Sequence, residues 1–339
     1  MASVKKGVDV KNVRWEVMKS CELKTIELIL NNTTDELKPN VFQTTSWLDA
    51  LNNGEGLDFY VCWYNNEQLL GYFIGFDSKK FTVKGLHIPV FTHTFAPVIS
   101  NSLNVKNTNA VINGLLELLA SKKVVDFKFP ANHFNFLPYF WNGFQCQPLI
   151  TYVIEGNYTD YLAALNKNKK REYKKLMTLV DTGEIEIRHD IPKDDWLRLF
   201  LETSERGGFK ANIGALTSLF EEKESYPHRL ISLYSKQHGY ISVGLFPYDG
   251  QTVYNVINAS LRFDDSVLKT TNLLLLMEAI KFTLDSGRKF DFEGSMLPGV
   301  SSFYELMGGF QVPVYRLTKS KSFFFSLLRA FKQMKDDRK

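Results

Sequence analysis

Gly-Arg-Lys-Phe-Asp-Phe-Glu, residues 287–293, is the stretch that decides the fold, because of what precedes it and where it recurs. Leucine, methionine and isoleucine recur at helical spacing over residues 269–284, and Gly287 is typical of a helix end. The alternating run after the glycine predicts a short strand. The same order, an apolar helix pattern followed by a strand, occurs earlier at Asp126-Phe127. This sequence therefore predicts a duplicated α/β unit.

Other landmarks recur in the same order at nearly constant spacing. They are Gly71-Tyr72 with Gly239-Tyr240, and Gly143-Phe144 with Gly309-Phe310. A repeat this long indicates two domains rather than a solenoid, and 339 residues are enough for two hydrophobic cores. We predict a first domain over residues 1–150, a second over 151–320 and a basic amphipathic helix over 321–339. Each domain is expected to be an α/β unit, a mixed and mostly antiparallel sheet flanked by helices.

Composition excludes several classes of protein. Hydrophobic residues make up 44% and charged residues 23% of the chain, values typical of a globular protein. The three cysteines are far apart, and the six histidines show no metal-binding spacing, so we expect neither a disulfide framework nor a metal. We find no secretory signal and no run of ~18 apolar residues. These features predict a cytoplasmic protein.

Positive charge is concentrated in a predicted linker helix over residues 161–180. Lys169, Lys170 and Arg171 lie in this helix, and Tyr173 follows them. The cluster is either a solvated helix face or a site for an anionic ligand, such as the phosphates of a nucleotide-linked acceptor or a tRNA backbone. One tyrosine offers a single stacking contact, which is too little to identify a nucleic-acid site.

A second basic segment covers residues 319–339 and also carries apolar residues at spacings of three and four. Such a stripe fits a helix that closes the domain, and equally a helix lying on an anionic membrane surface. The protein is therefore predicted to be cytoplasmic and possibly membrane-associated, with the C-terminal helix as the contact.

The order of elements resembles the Fem-type (FemAB-like) branch of the GNAT acyltransferase superfamily, and local motifs support the resemblance. These motifs are Trp141-Asn142-Gly143-Phe144 followed by Thr151-Tyr152-Val153-Ile154, the basic run 168–175, Thr203-Ser204-Glu205-Arg206-Gly207-Gly208-Phe209 and residues 287–293. The resemblance implies two tandem GNAT-like domains and transfer of an acyl or aminoacyl group to an amine. It also implies a cell-envelope sugar or peptide precursor as acceptor, bound between the domains, and either acyl-CoA or aminoacyl-tRNA as donor. Arg206 joins the candidate substrate-binding residues on this basis.

Two departures from the family pattern concern ligand binding. Family members usually have a Phe-Lys pair in the last helix, where this chain has Phe303-Tyr304. Ordinary GNAT enzymes hold the CoA pyrophosphate in a glycine-containing loop before the long helix. Residues 261–266 contain no glycine but two carboxylates, so this loop does not favour acetyl-CoA.

Candidate catalytic residues follow the second copy of the repeat. Asp291 and Glu293 alternate on one predicted strand and should therefore share a face, where Glu293, Asp291 or Glu305 could take a proton from the acceptor amine. Tyr304 could polarise the acyl group. The alternatives are carboxylates that cap a loop or pair with cations, and a tyrosine that only packs.

Asn255 and Asn258 lie on the predicted third strand of the second domain. They could orient an amide-like acceptor, or be ordinary strand or turn residues. The resemblance thus implies an N-acyltransferase acting on an envelope precursor. An aminoacyl-tRNA-dependent, peptidoglycan-type enzyme and a non-catalytic binding module with two degenerate domains are the alternatives.

Overall fold

The computed structural model describes residues 13–19, 37, 39–52, 57–64, 68–80, 83–130, 135–265, 267–294, 296–323 and 327. The strands are β1 (Val13–Lys19), β2 (Leu57–Tyr64), β3 (Gln68–Lys80), β4 (Val83–Leu86), β5 (Val98–Ile99), β6 (Val124–Phe129), β7 (Gln145–Ile154), β8 (Ile185–Arg188), β9 (His228–Ser235), β10 (Gly239–Pro247), β11 (Thr252–Tyr254), β12 (Ile257–Ser260), β13 (Lys289–Asp291) and β14 (Phe310–Ser320). The helices are α1 (Thr45–Asn52), α2 (Val105–Leu118), α3 (Leu137–Trp141), α4 (Tyr158–Ala164), α5 (Lys167–Asp181), α6 (Lys193–Gly207), α7 (Ile213–Glu221), α8 (Thr271–Asp285) and α9 (Pro298–Leu306).

Two compact units divide the chain. The second unit is Leu149–Pro313, and the first comprises the described residues before and after it. The later boundary falls inside β14, so the residues from Val314 onward belong to the first unit, whereas the sequence pattern placed residues up to 320 in the second domain. Most of the predicted C-terminal helix, 321–339, lies outside the described residues.

Strands of the first unit pair in the order β1, β2, β3, β4, β6 and the C-terminal part of β14. All these pairs are antiparallel except β4 with β6. An aromatic cluster forms the core: the ring centroid of Phe127 lies 5.2 Å from that of Phe73, 5.9 Å from that of Tyr139 and 5.7 Å from that of Phe144. This packing accounts for part of the high phenylalanine content.

A buried ion pair joins two neighbouring strands of the first unit. Asp126 on β6 is 0% exposed, and its carboxylate accepts two hydrogen bonds from the Arg316 guanidinium, through Nη2 and, at 2.8 Å, through Nε. The hydroxyl of Thr318 donates a third, at 2.9 Å. A carboxylate can be buried at low cost only when it is paired and hydrogen-bonded in this way.

Residues 87–97 connect β4 to β5 in the first unit, and most of them are buried. Phe95 exchanges two backbone hydrogen bonds with Lys128 of β6, at 2.8 and 2.9 Å. The connecting segment thus pairs with β6 beyond the point where β4 meets it, at Leu86 and Val125. The space beside the end of β6 is therefore occupied by the chain itself.

The second unit has an antiparallel sheet in the order β12, β10, β9 and β8. Separately, β13 pairs antiparallel with β7 and parallel with β11. Helix α8 packs against these strands through fully buried residues that include Leu274, Leu275 and Ile280. It ends just before Gly287, whose φ of +69° is the left-handed conformation that favours glycine at a helix end.

The predicted single helix over residues 161–180 is wrong, because two helices, α4 and α5, occupy this region. Leu165 has an extended ψ of 143° and is buried. Asn166 then caps the N-terminus of α5, accepting a hydrogen bond at 2.9 Å from the backbone N–H of Asn168. The apolar spacing of the sequence continues across Leu165 and Asn166, which is why a single helix was predicted. The buried Leu165 and the Asn166 cap instead mark the start of a new helix.

Candidate functional site

Two strands of the second unit separate at the place where the candidate residues gather. Strands β11 and β13 pair in parallel as far as Tyr254 and Asp291, and the backbone N–H of Asn255 then donates to the Asp291 carbonyl at 2.9 Å. From Ile257 onward the chain pairs instead with β10. We call this point of separation, with Asn255, Asp291, Glu293 and Tyr304 around it, the fork.

The turn after β13 brings Glu293 back towards Asp291. The strand ends at Asp291, and Glu293 has a φ of +62°, so the predicted alternation of the two carboxylates on one strand is wrong. The Asp291 carboxylate accepts a hydrogen bond from the Thr151 hydroxyl and another, at 2.8 Å, from the backbone N–H of Glu293. A left-handed backbone is uncommon for a residue other than glycine, and such conformations are concentrated at functional sites.

Tyr304, on α9, places a protonated phenol at the fork. Its ring stacks on Phe292, with centroids 4.3 Å apart and planes at 26°. Burial first, and then the Glu293 and Asp291 carboxylates, raise the pKa of Tyr304 to about 12, against the opposing effect of a hydrogen bond with the Asn255 side chain. The phenol therefore stays protonated at physiological pH and can donate a hydrogen bond. Four of the predicted residues are thus brought together here.

Glu305 belongs to a different set of contacts. Its Oε1 atom accepts hydrogen bonds of 3.1 Å from the Tyr152 hydroxyl and from the Gln311 amide. The Tyr152 hydroxyl also bonds to Ser301. Sequence reasoning missed Tyr152, Ser301 and Gln311. The available signal was the spacing of Ser301 and Glu305, which places them one turn apart on the same helix.

The basic cluster on α5 is divided among different environments. Lys169 has a side chain only 15% exposed, pairs with Glu172 at 2.7 Å, and lies 5.3 Å from the centroid of the Phe303 ring. Lys170 donates to the Ala163 carbonyl, while Arg171 is exposed. Lys169 thus lies beside α9, and Arg171 faces solvent.

Tyr173 contacts α8 rather than the fork. Its hydroxyl donates to Glu278 at 3.4 Å. Burial raises the pKa of the Glu278 carboxyl, and neighbouring Lys281 opposes this shift. The hydrogen bond to Glu278 gives Tyr173 a structural role.

Arg206 lies beside β12, and Asn258 lies on this strand. The Arg206 guanidinium donates to the Ser260 carbonyl at 3.0 Å, and the Thr203 hydroxyl accepts from the Ser260 N–H at 3.1 Å. Both contacts attach α6 to the end of β12. Asn258 is half-buried and lies opposite Gly244 of β10.

A carboxylate occupies the backbone amides at the loop before α8. Asp265 accepts hydrogen bonds of 2.8 Å from the N–H groups of Val267 and Leu268. These bonds lower the pKa of the Asp265 carboxyl. The amides therefore already serve an anion supplied by the chain.

Over the described part of the chain, no group of three or more histidine, cysteine, aspartate or glutamate residues could hold a metal ion. Within the same residues, no helix is long and apolar enough to cross a membrane.

No protein-family model and no curated protein matches the sequence. Solved structures do match. FemX has a TM-score of 0.63 at 13% identity, covering 88% of this chain and 96% of that chain. A conserved protein of unknown function from Bacteroides thetaiotaomicron has a TM-score of 0.54 at 12% identity, covering 88% and 97%. A tandem GNAT protein from the clavulanic acid biosynthesis pathway has a TM-score of 0.52 at 9% identity, covering 91% and 98%. The chain therefore shares the fold of FemX and of the tandem GNAT protein, and the predicted α/β fold class is confirmed.

Proposed function

We propose that this chain is an N-acyltransferase whose second unit carries the reaction, moving an acyl or aminoacyl group to the amine of a cell-envelope sugar or peptide precursor. The observation that supports the proposal best is the fork. There a protonated phenol, Tyr304, lies with the Asn255 amide and the carboxylates of Asp291 and Glu293. Hydrogen-bond donors beside carboxylates are what amine acylation requires.

In the proposed mechanism the neutral acceptor amine attacks the acyl carbonyl directly. Tyr304 donates a hydrogen bond to the carbonyl oxygen as negative charge develops there. Glu293 takes the proton that the amine nitrogen loses, and Asp291 orients Glu293 through the bond to its backbone N–H. The carbon–oxygen or carbon–sulfur bond of the donor breaks as the amide forms, without a covalent enzyme intermediate, and the leaving oxygen or sulfur takes up the proton held by Glu293.

The loop before α8 helps to distinguish between the two candidate acyl donors. Asp265 occupies the N–H groups of Val267 and Leu268, and its negative charge opposes a pyrophosphate at that place. An aminoacyl ester has no pyrophosphate, and carboxylates at the fork would suit its ammonium group. These observations favour aminoacyl-tRNA over acyl-CoA, with exposed Arg171 as a candidate phosphate contact.

The two copies of the repeat differ in a way that supports this assignment. In the second unit, only Asn255 and Val256 connect β11 to β12 along the chain, beside the fork. In the first unit, residues 87–97 occupy the corresponding connection and pair with β6 through Phe95 and Lys128. Asp126 is moreover bonded to a guanidinium. We therefore assign the chemistry to the second unit.

A donor-competition experiment tests the function. Purified protein is incubated with a nucleotide-linked cell-wall peptide that carries a free amine, and with either radiolabelled aminoacyl-tRNAs or radiolabelled acetyl-CoA. We expect label to move to the peptide from aminoacyl-tRNA, more slowly in Arg171→Gln and at higher salt. Transfer from acetyl-CoA alone would reverse the donor assignment. No transfer from either donor would favour a non-catalytic binding module.

A further inference from the structure

The geometry points to Tyr152 as a positioning residue that holds Tyr304 at the fork, with Ser301, Glu305 and Gln311 acting through it. The inference rests on the proposed function, because Tyr304 is the group whose position would matter. It gives Glu305 a different role from proton acceptor: its carboxylate fixes a neighbouring side chain.

The buried hydroxyl of Tyr152 has three hydrogen-bond partners, and the residue is 1% exposed. It donates to Glu305 Oε1 at 3.1 Å and accepts from Gln311 Nε2 at 3.1 Å. Ser301 Oγ is also within hydrogen-bonding distance. A phenol has one donor and two acceptor lone pairs, so donation to Glu305 and acceptance from Ser301 and Gln311 use its full capacity.

These bonds constrain the helix that carries Tyr304. Ser301 and Glu305 are separated by about one turn of α9, and both bond to the Tyr152 hydroxyl. Two attachment points on one face fix the rotation of a helix about its axis. The direction in which Tyr304 leaves the same helix is therefore fixed as well.

Tyr152 also contacts the surroundings of the Tyr304 ring directly. The centroids of the two tyrosine rings are 5.7 Å apart, and the Tyr152 carbonyl accepts a 2.9 Å hydrogen bond from the backbone N–H of Phe292, on which Tyr304 stacks. A Cβ atom at Gly309 would lie 3.2 Å from Tyr152 Cβ and 3.0 Å from the Tyr304 carbonyl oxygen. The three aromatic residues thus pack closely around Gly309, where an added Cβ would require its neighbours to shift by a few tenths of an ångström.

The test uses protein labelled with carbon-13 at the ζ carbon of tyrosine, and it needs no substrate. The Tyr304 resonance is assigned by its loss in Tyr304→Phe. In Ser301→Ala and Tyr152→Phe we expect this resonance to move or broaden. Both variants keep the two aromatic rings but lose the hydrogen bond between the Tyr152 and Ser301 hydroxyls. Tyr226→Phe is the matched control, since its buried hydroxyl donates to the Leu219 carbonyl instead. An unmoved Tyr304 resonance in both variants would overturn the inference.

A kinetic cycle supplies the functional readout in the transfer assay described above. Tyr152→Phe is expected to lower kcat about tenfold with the donor KM nearly unchanged, because misplacing a catalytic group reduces turnover. In a Tyr304→Phe background the same change should cost less than about twofold, since the two residues act as one unit. Equal losses in both backgrounds would refute positioning through Tyr304. Full turnover in Tyr304→Phe, with a shifted resonance in Tyr152→Phe, would instead contradict the proposed function alone.

Discussion

Replacing Arg316 by methionine should destabilise the first unit strongly. Asp126 is fully buried, and the substitution removes the two hydrogen bonds from the guanidinium, together with the positive charge that pairs with the carboxylate. Removing one partner of a buried ion pair typically costs about 3–5 kcal/mol, because the other charge stays buried. The exposed pair of Lys281 and Asp285, with side chains 48% and 50% exposed, is the control. Lys281→Met should cost no more than about 0.5 kcal/mol.

Urea unfolding followed by tryptophan fluorescence measures the free energy of unfolding of the first unit. Four of the five tryptophans of the sequence belong to this unit, and only Trp196 belongs to the second. The double variant Asp126→Asn with Arg316→Met should be more stable than Arg316→Met alone, since a neutral amide can still bond to Thr318. A loss below about 1 kcal/mol in Arg316→Met, or a double variant less stable than the single one, would refute the reasoning.

Three further predictions concern the fork. Tyr304→Phe should lower kcat about 100-fold in the transfer assay, the effect typical of losing one donor to a developing oxyanion; an unchanged rate would count against that role. The pKa of Tyr304 is raised from its ordinary value of 10 to about 12 in the folded protein. The stability that this residue contributes to the folded state is therefore full below pH 10 and is lost as the pH rises towards 12. Across that range wild type should lose about 2–3 kcal/mol more unfolding free energy than Tyr304→Phe, as measured by urea titrations; parallel curves would contradict this. Gly294→Ala should cost more than about 2 kcal/mol, because φ is +73° and its Cβ would lie 2.2 Å from the Ile150 carbonyl oxygen, whereas Gly299→Ala, with open space around it, should be close to neutral in the same titration.

Local patterns in the sequence predicted the elements well where one residue's neighbours along the chain decide its conformation. The apolar spacing over residues 269–284 predicted α8, and Gly287 marked its end, because helix periodicity and a left-handed C-terminal glycine are local properties. Paired landmarks such as Asp126 and Asp291 predicted the duplication, because each pair is a short motif that recurs in the same order along the sequence. Both aspartates lie on strands that follow a helix, as expected.

Features that depend on distant contacts could not be predicted. The left-handed backbone at Glu293 accompanies a turn closed by the Asp291 carboxylate, so the strand ends at Asp291 and the predicted alternation was wrong. Tyr152 and Ser301 are 149 residues apart, and no local pattern joins them. The pairing of Phe95 with Lys128 is likewise a tertiary contact. The candidate site was therefore predicted as a set of residue types, and its geometry required the structure.

A single-turnover transfer assay on Glu293→Gln tests the central claim most directly. Wild type is mixed with labelled aminoacyl-tRNA and the amine-bearing peptide, beside Glu293→Gln and the control Asp285→Asn, whose carboxylate lies in an exposed i,i+4 pair. The account predicts rapid transfer by wild type and by the control, and a rate at least about 100-fold lower in Glu293→Gln, the loss expected for a missing general base. Equal rates in all three proteins would show that the fork of the second unit does not carry the reaction.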